Sequence, residues 1–139
     1  MSGSERILVV DDDAGIRELT CLALAGAGYA VVTAASGKEA LAVAAGERFD
    51  LVLLDINMPA MDGFETLRLL KLDPARADFP VVMFSVKSEF RYRIQGMQEG
   101  AVDYITKPFS VDDLLARVRR VLTSPDAGRS VASPPAARG

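Results

Sequence analysis

Histidine is missing from this sequence, tryptophan is missing too, and cysteine occurs once, at Cys21. Without histidine the chain has no Ser-His or Cys-His dyad, no imidazole metal ligand, and no phosphohistidine or imidazole acid–base role of its own. A single cysteine makes neither a disulfide framework nor a thiolate zinc site. No apolar run nears the ~20 residues of a membrane span, and Met1–Arg6 is too short and polar for a signal peptide. The chain therefore reads as cytoplasmic, with no membrane partner. Sixteen Lys+Arg against nineteen Asp+Glu leave a net charge of −3, which gives no reason to expect direct nucleic-acid binding. What remains for chemistry is carboxylates, lysine, hydroxyls and a hard metal. The 139 residues, half of them hydrophobic, suffice for one domain with a sizeable core.

Short apolar runs alternate with longer amphipathic stretches five times. The strands expected are Ile7–Val10, Tyr29–Thr33, Leu51–Leu54, Val81–Phe84 and Val102–Ile105. Between and after them the spacing predicts helices over Ile16–Ala27, Gly37–Ala45, Phe64–Leu72, Phe90–Glu99 and Val111–Leu122. Ile16, Leu19, Leu22 and Ala23 are the expected inner face of the first helix. Val111, Leu114, Leu115, Val118 and Leu122 are that of the last. Ser36 with Glu39 reads as a capping box, Ser110 and Asp62 as helix caps, and Asp13 as a cap rather than a ligand. Strands alternating with helices imply an α/β doubly wound five-stranded parallel sheet with helices on both faces, in the common order 2-1-3-4-5. Residues 1–123 form the expected domain. Residues 124–139, rich in Pro, Ser, Ala, Gly and Arg, read as a disordered C-terminal tail or linker.

In such a sheet ligands bind beyond the carboxyl ends of the strands. There the first strand delivers Asp11, Asp12 and Asp13, the third Asp55, the fourth Ser85, and the fifth is followed by Lys107. Each of these taken singly has an ordinary reading: a solvated acidic loop, a strand-end turn, a capping hydroxyl, an exposed cation. Together they are harder to dismiss. Crowded carboxylates repel unless a cation intervenes, and oxygen ligands without imidazole or thiolate select Mg²⁺, with Mn²⁺ as the alternative. A lysine and a hydroxyl beside them suit a phosphoryl group, and a carboxylate can accept one as an aspartyl phosphate.

At this point the chain resembles the receiver domains of response regulators in two-component signalling, which are chemotaxis-receiver-like and flavodoxin-like in fold. The stretches that carry the resemblance are Ile7-Leu8-Val9-Val10-Asp11-Asp12, Asp50 through Pro59, Met61-Asp62-Gly63, Pro80–Ser85, and Gly100 through Phe109. The resemblance implies that Asp55 is the phosphoacceptor. It implies direct Mg²⁺ ligation by Asp12, Asp55 and the carbonyl of Asn57, with Asp11 acting mainly through water. Ser85 and Lys107 would contact the phosphoryl group, Tyr104 would be the aromatic that follows Ser85 in switching, and the Lys107-Pro108 peptide would be cis. It further implies a sensor histidine kinase or histidine phosphotransfer protein as donor. A downstream effector protein or a homodimer would read the helix 4–strand 5–helix 5 face, where Phe90, Arg91, Tyr92, Arg93 and Ile94 are more aromatic and basic than an idle surface needs.

One departure stands out. Val86 follows Ser85 where receivers most often have Ala or another small residue, so it is read as an access residue at the pocket rim, with the cation Lys87 beside it. Rival classes are an aspartate-nucleophile phosphatase of similar fold, a flavin mononucleotide carrier, and an unphosphorylated receiver-like interaction scaffold. The phosphatase pattern fails after Asp13, where Ala14-Gly15 follows, and three aspartates would repel a flavin phosphate. The intact Asp55 and Lys107 argue against the scaffold. With no output domain in it, the sequence reads as a stand-alone regulator or a receiver cut from a longer one.

Overall fold

The computed structural model describes residues 4–86 and 90–124. Lys87 and nearly all of the expected tail lie outside them. The elements run β1 Arg6–Val10, α1 Ala14–Gly26, β2 Ala30–Ala34, α2 Gly37–Gly46, β3 Leu51–Asp55, α3 Gly63–Leu72, β4 Val81–Ser85, α4 Phe90–Gln98, β5 Asp103–Thr106 and α5 Val111–Thr123. The sheet is parallel throughout, in the expected order β2-β1-β3-β4-β5. Among the described residues no helix is long and apolar enough to cross a membrane.

Alternation of side chains along the central strands divides the core in two. Leu8, Val10, Val52 and Leu54 face one layer with Phe64, Leu67 and Leu70 of α3. Ile7, Val9, Leu51 and Leu53 face the other, with Leu24 of α1 and Leu114 and Val118 of α5. This is why β1 and β3 read as unbroken apolar runs: both faces are covered. Each such side chain gains about 1.5–3 kcal/mol by leaving water. Parallel register then brings the strand ends level, with Val10 opposite Leu54, Asp55 opposite Phe84 and Ser85 opposite Thr106.

Caps end the loops where the sequence placed them. Asp13 Oδ1 accepts from Ile16 N, Asp62 Oδ1 from Glu65 N, and Ser110 Oγ from Asp113 N. At α2 the box is displaced by one residue: Ser36 accepts from Glu39 N, but the Glu39 carboxylate reaches back to Ala35 N. Two inner faces differ from expectation. On α1 it is Thr20 and Leu24 that are buried, while Leu19 and Leu22 point to solvent, Leu22 at 64 % exposure. Thr20 can occupy the core because its hydroxyl is satisfied by Ile16 O at 2.7 Å within its own helix. On α5 the first residue, Val111, is exposed and Val121 is buried instead, because the 114-118-121 stripe follows the helical period into the sheet.

Candidate functional site

The carboxyl ends of β1 and β3 bring Asp11, Asp12 and Asp55 together, so that one carboxylate oxygen from each lies within 4.8 Å of the others. Asp11 is fully buried and both its oxygens are engaged: Oδ1 accepts from Asp13 N at 2.9 Å and Oδ2 meets Lys107 Nζ at 2.7 Å. Lys107 Nζ lies 3.6 Å from Asp55 Oδ1, and also 4.8 Å from the centroid of the Phe84 ring. The lysine therefore sits over an aromatic floor between two acidic groups. Asp12 is the exposed member of the cluster.

Burial pushes the Asp55 carboxyl up to about 6 from its ordinary 3.8. Lys107 and the Asn57 N–H oppose that rise, while Asp11 and Asp12 add to it. One ammonium thus leaves the cluster short of positive charge. All three donors are hard oxygens, two of them buried, so the residues fit a small divalent cation such as Mg²⁺. The same set offers zinc or copper nothing they prefer.

The remaining expected residues lie nearby. Ser85 is buried at the end of β4, and the Asn57 amide points to its hydroxyl at 3.4 Å. Tyr104 is buried on β5 with the Arg93 guanidinium 5.2 Å from its ring centroid, and burial raises its phenol pKa. Val86 is 63 % exposed just past Ser85. The Lys107-Pro108 peptide is cis, as the resemblance implies. On α4 only Gly96 is buried, while Phe90 is 73 % exposed and Ile94 lies partly open.

Two participants escape a reading of the sequence alone. Arg17, from the first turns of α1, donates to the Asp11 carbonyl at 2.8 Å and so fixes the end of β1. Its only sequence signal is a cation placed soon after three aspartates. Ala60, in the loop from Asp55 to α3, has φ +70°. A left-handed alanine costs roughly 1–2 kcal/mol, against the roughly 0.5–1 kcal/mol that a glycine there would lose in unfolded-state entropy. Ala60→Gly is therefore expected to stabilise the protein by about 0.5 kcal/mol in urea unfolding. A loss of stability would show that the loop is not strained at this residue.

Comparison with known proteins places this geometry. A family model described as the response regulator receiver domain matches residues 7–119. The phosphate regulon transcriptional regulatory protein PhoB of Pseudomonas aeruginosa is 44 % identical over 91 % of this chain and 55 % of its own length. The DNA-binding dual master transcriptional regulator RpaA of Synechocystis sp. is 42 % identical over 87 % of this chain and 50 % of its own. The chain thus spans about half the length of these curated relatives. Among solved structures, the chemotaxis protein CheY4 of Vibrio cholerae superposes with a TM-score of 0.82 at 36 % identity, covering 85 % of this chain and 98 % of that one.

Proposed function

The chain belongs to the response regulator receiver domain family, and on that premise we propose that Asp55 accepts a phosphoryl group and that the aspartyl phosphate resets the α4–β5–α5 surface. Receiver domains are signalling switches rather than enzymes acting on a diffusible substrate, and neither the phosphatase nor the scaffold reading is favoured. Residues 1–123 are taken as the receiver unit and 124–139 as a tail or linker, a division that the family match over 7–119 supports. The observation that carries the phosphoacceptor assignment is a buried carboxylate, Asp55, 3.6 Å from a lysine and clustered with two further carboxylates.

The donor is a phosphohistidine on a sensor kinase or phosphotransfer protein. An Asp55 oxygen attacks phosphorus as the N–P bond breaks, and the departing imidazole takes a proton from solvent. Asp12, Asp55 and the Asn57 carbonyl would hold Mg²⁺, with Asp11 acting through water, and the ion would supply positive charge for the phosphoryl oxygens. Lys107 swings its hydrogen bond from Asp11 to one of those oxygens, and the Ser85 hydroxyl turns to another. Withdrawal of Ser85 toward the phosphoryl group frees space on the β4–β5 side, and Tyr104 follows it. The exposed Phe90, Arg91 and Ile94 of α4 then present a changed face to an effector or to a second copy. Water later attacks phosphorus, releasing phosphate and restoring the carboxylate. DNA contact has no support in this acidic stretch and is assigned to other parts of longer relatives.

Incubation with phosphoramidate should add one phosphoryl group by intact mass with Mg²⁺ and none with a chelator. Incorporation independent of metal would contradict the reading. Val86 sets the rate within it. On this reading its branched, exposed side chain crowds the approach to Asp55, and about 1 kcal/mol of crowding corresponds to about fivefold in rate. Val86→Ala is expected to speed both phosphorylation and hydrolysis in stopped flow by about that factor. Equal rates would mean that Val86 lies clear of the path.

A further inference from the structure

Gly63 opens α3, is buried, and donates its N–H to the Ile56 carbonyl at 2.8 Å. A Cβ at this position would stand 2.2 Å from the Asp55 carbonyl oxygen, 2.7 Å from Ile56 Cα and 2.9 Å from the Asp55 carbonyl carbon. All three obstacles are main chain, so no side-chain rotation relieves them. Neither does α3 have room to retreat. Its first turn is tied by Asp62 to Glu65 N and by the Thr66 hydroxyl to Asp62 O, and Phe64, Leu67 and Leu70 are buried in the core. The strand is equally held up to Asp55, which is in register with Phe84. The Asp55–Ile56 peptide is the part that must yield, and it carries the Asp55 carboxylate on one side and Asn57 on the other.

We propose that Gly63 is a positioning residue for phosphoryl transfer: the absence of a side chain there lets α3 rest against the Asp55–Ile56 peptide and sets the Asp55 carboxylate in line for attack. The proposal rests on the reading of Asp55 as phosphoacceptor. A displacement of about 1 Å suffices to cost on the order of a hundredfold in rate.

Gly37 supplies the control. A Cβ there would also lie 2.2 Å from its nearest neighbour, but that neighbour is the Thr66 hydroxyl, followed by the Met61 side chain. Both are side-chain atoms, so the clash can be relieved by rotation at the cost of the Thr66–Asp62 bond and without moving the Asp55–Ile56 peptide. Gly37→Ala and Gly63→Ala should each lose stability in urea unfolding. Only Gly63→Ala should lose transfer rate, by about 10- to 100-fold at saturating phosphoramidate, with the half-saturating donor concentration nearly unchanged. In the metal-free protein, the amide signals of Ile56 and Asn57 should shift in Gly63→Ala and hold in Gly37→Ala. The wild-type arm tells the two readings apart, because a wild type that takes no phosphoryl group overturns the phosphoacceptor assignment itself. Three results overturn the positioning role: a folded Gly63→Ala transferring within twofold of wild type, an equal slowing in both variants, or a Gly63→Ala chain that stays unfolded even in trimethylamine oxide.

Discussion

Asp55→Asn is expected to abolish phosphoryl incorporation and at the same time to stabilise the metal-free protein at pH 7 by about 2 kcal/mol, which is the roughly 3 kcal/mol that a rise from 3.8 to about 6 corresponds to, lowered by solvent screening. The loss follows from removing the nucleophile. The gain follows from the charge that the fold confines. Asp55 titrates near 6 when folded, against 3.8 for an ordinary aspartate, with burial the largest cause. Between those values the folded protein binds the proton more tightly than the unfolded chain does. Stability therefore falls as pH rises from about 4 to 6, and the whole cost of ionising Asp55 is present above that window. Asparagine keeps the shape and drops the charge. Urea unfolding of both proteins with a chelator present should show the advantage of Asp55→Asn at pH 7 shrinking to nothing below pH 4. An Asp55→Asn protein less stable than wild type at pH 7 would show that the carboxylate is well compensated in the fold.

Lys107→Met tests the opposite charge and should be the most destabilising single change at the site. The methionine keeps an apolar stem above Phe84, so packing is largely retained and the ammonium alone is lost. Asp11, fully buried and 2.7 Å from Lys107 Nζ, then has no cation, and breaking a buried pair in this way costs about 3–5 kcal/mol. The Asp55 carboxyl, which Lys107 holds down, should rise above 6. Mg²⁺ should recover part of the lost melting temperature, because it binds the folded cluster and not the unfolded chain. Transfer should remain slow even with saturating metal, by about 10²- to 10³-fold, since a donor aimed at the developing phosphoryl charge is gone. Full recovery of the rate by Mg²⁺ would restrict Lys107 to charge balance in the resting protein.

Much of this arrangement was legible in the sequence because the signals are local. Apolar runs such as Leu51–Leu54, closed by Asp50 and Asp55, mark strands covered on both faces, and Asp13, Asp62 and Ser110 announce helix starts. The rule that parallel sheets bind at their carboxyl ends then gathers Asp11, Asp55 and Lys107 without any knowledge of distance. The misread faces have a common cause. Hydrophobicity ranks Leu19 and Leu22 above Thr20, but a threonine that satisfies its hydroxyl within its own helix is acceptable in the core, and the crossing of α1 over the sheet decides the rest. Gly63 and Arg17 were out of reach for another reason. Their roles depend on how closely α3 approaches the Asp55–Ile56 peptide and on where a guanidinium from α1 meets the Asp11 carbonyl, which are properties of packing between elements.

The most direct test of the account is to trap the acyl phosphate where it forms. Wild-type protein treated with phosphoramidate and Mg²⁺, then reduced with borohydride and digested, should carry homoserine at position 55 and at no other aspartate, and omission of Mg²⁺ should leave Asp55 unreduced. Homoserine at Asp11, Asp12 or Asp13, or its appearance at position 55 with the metal chelated, would contradict the account.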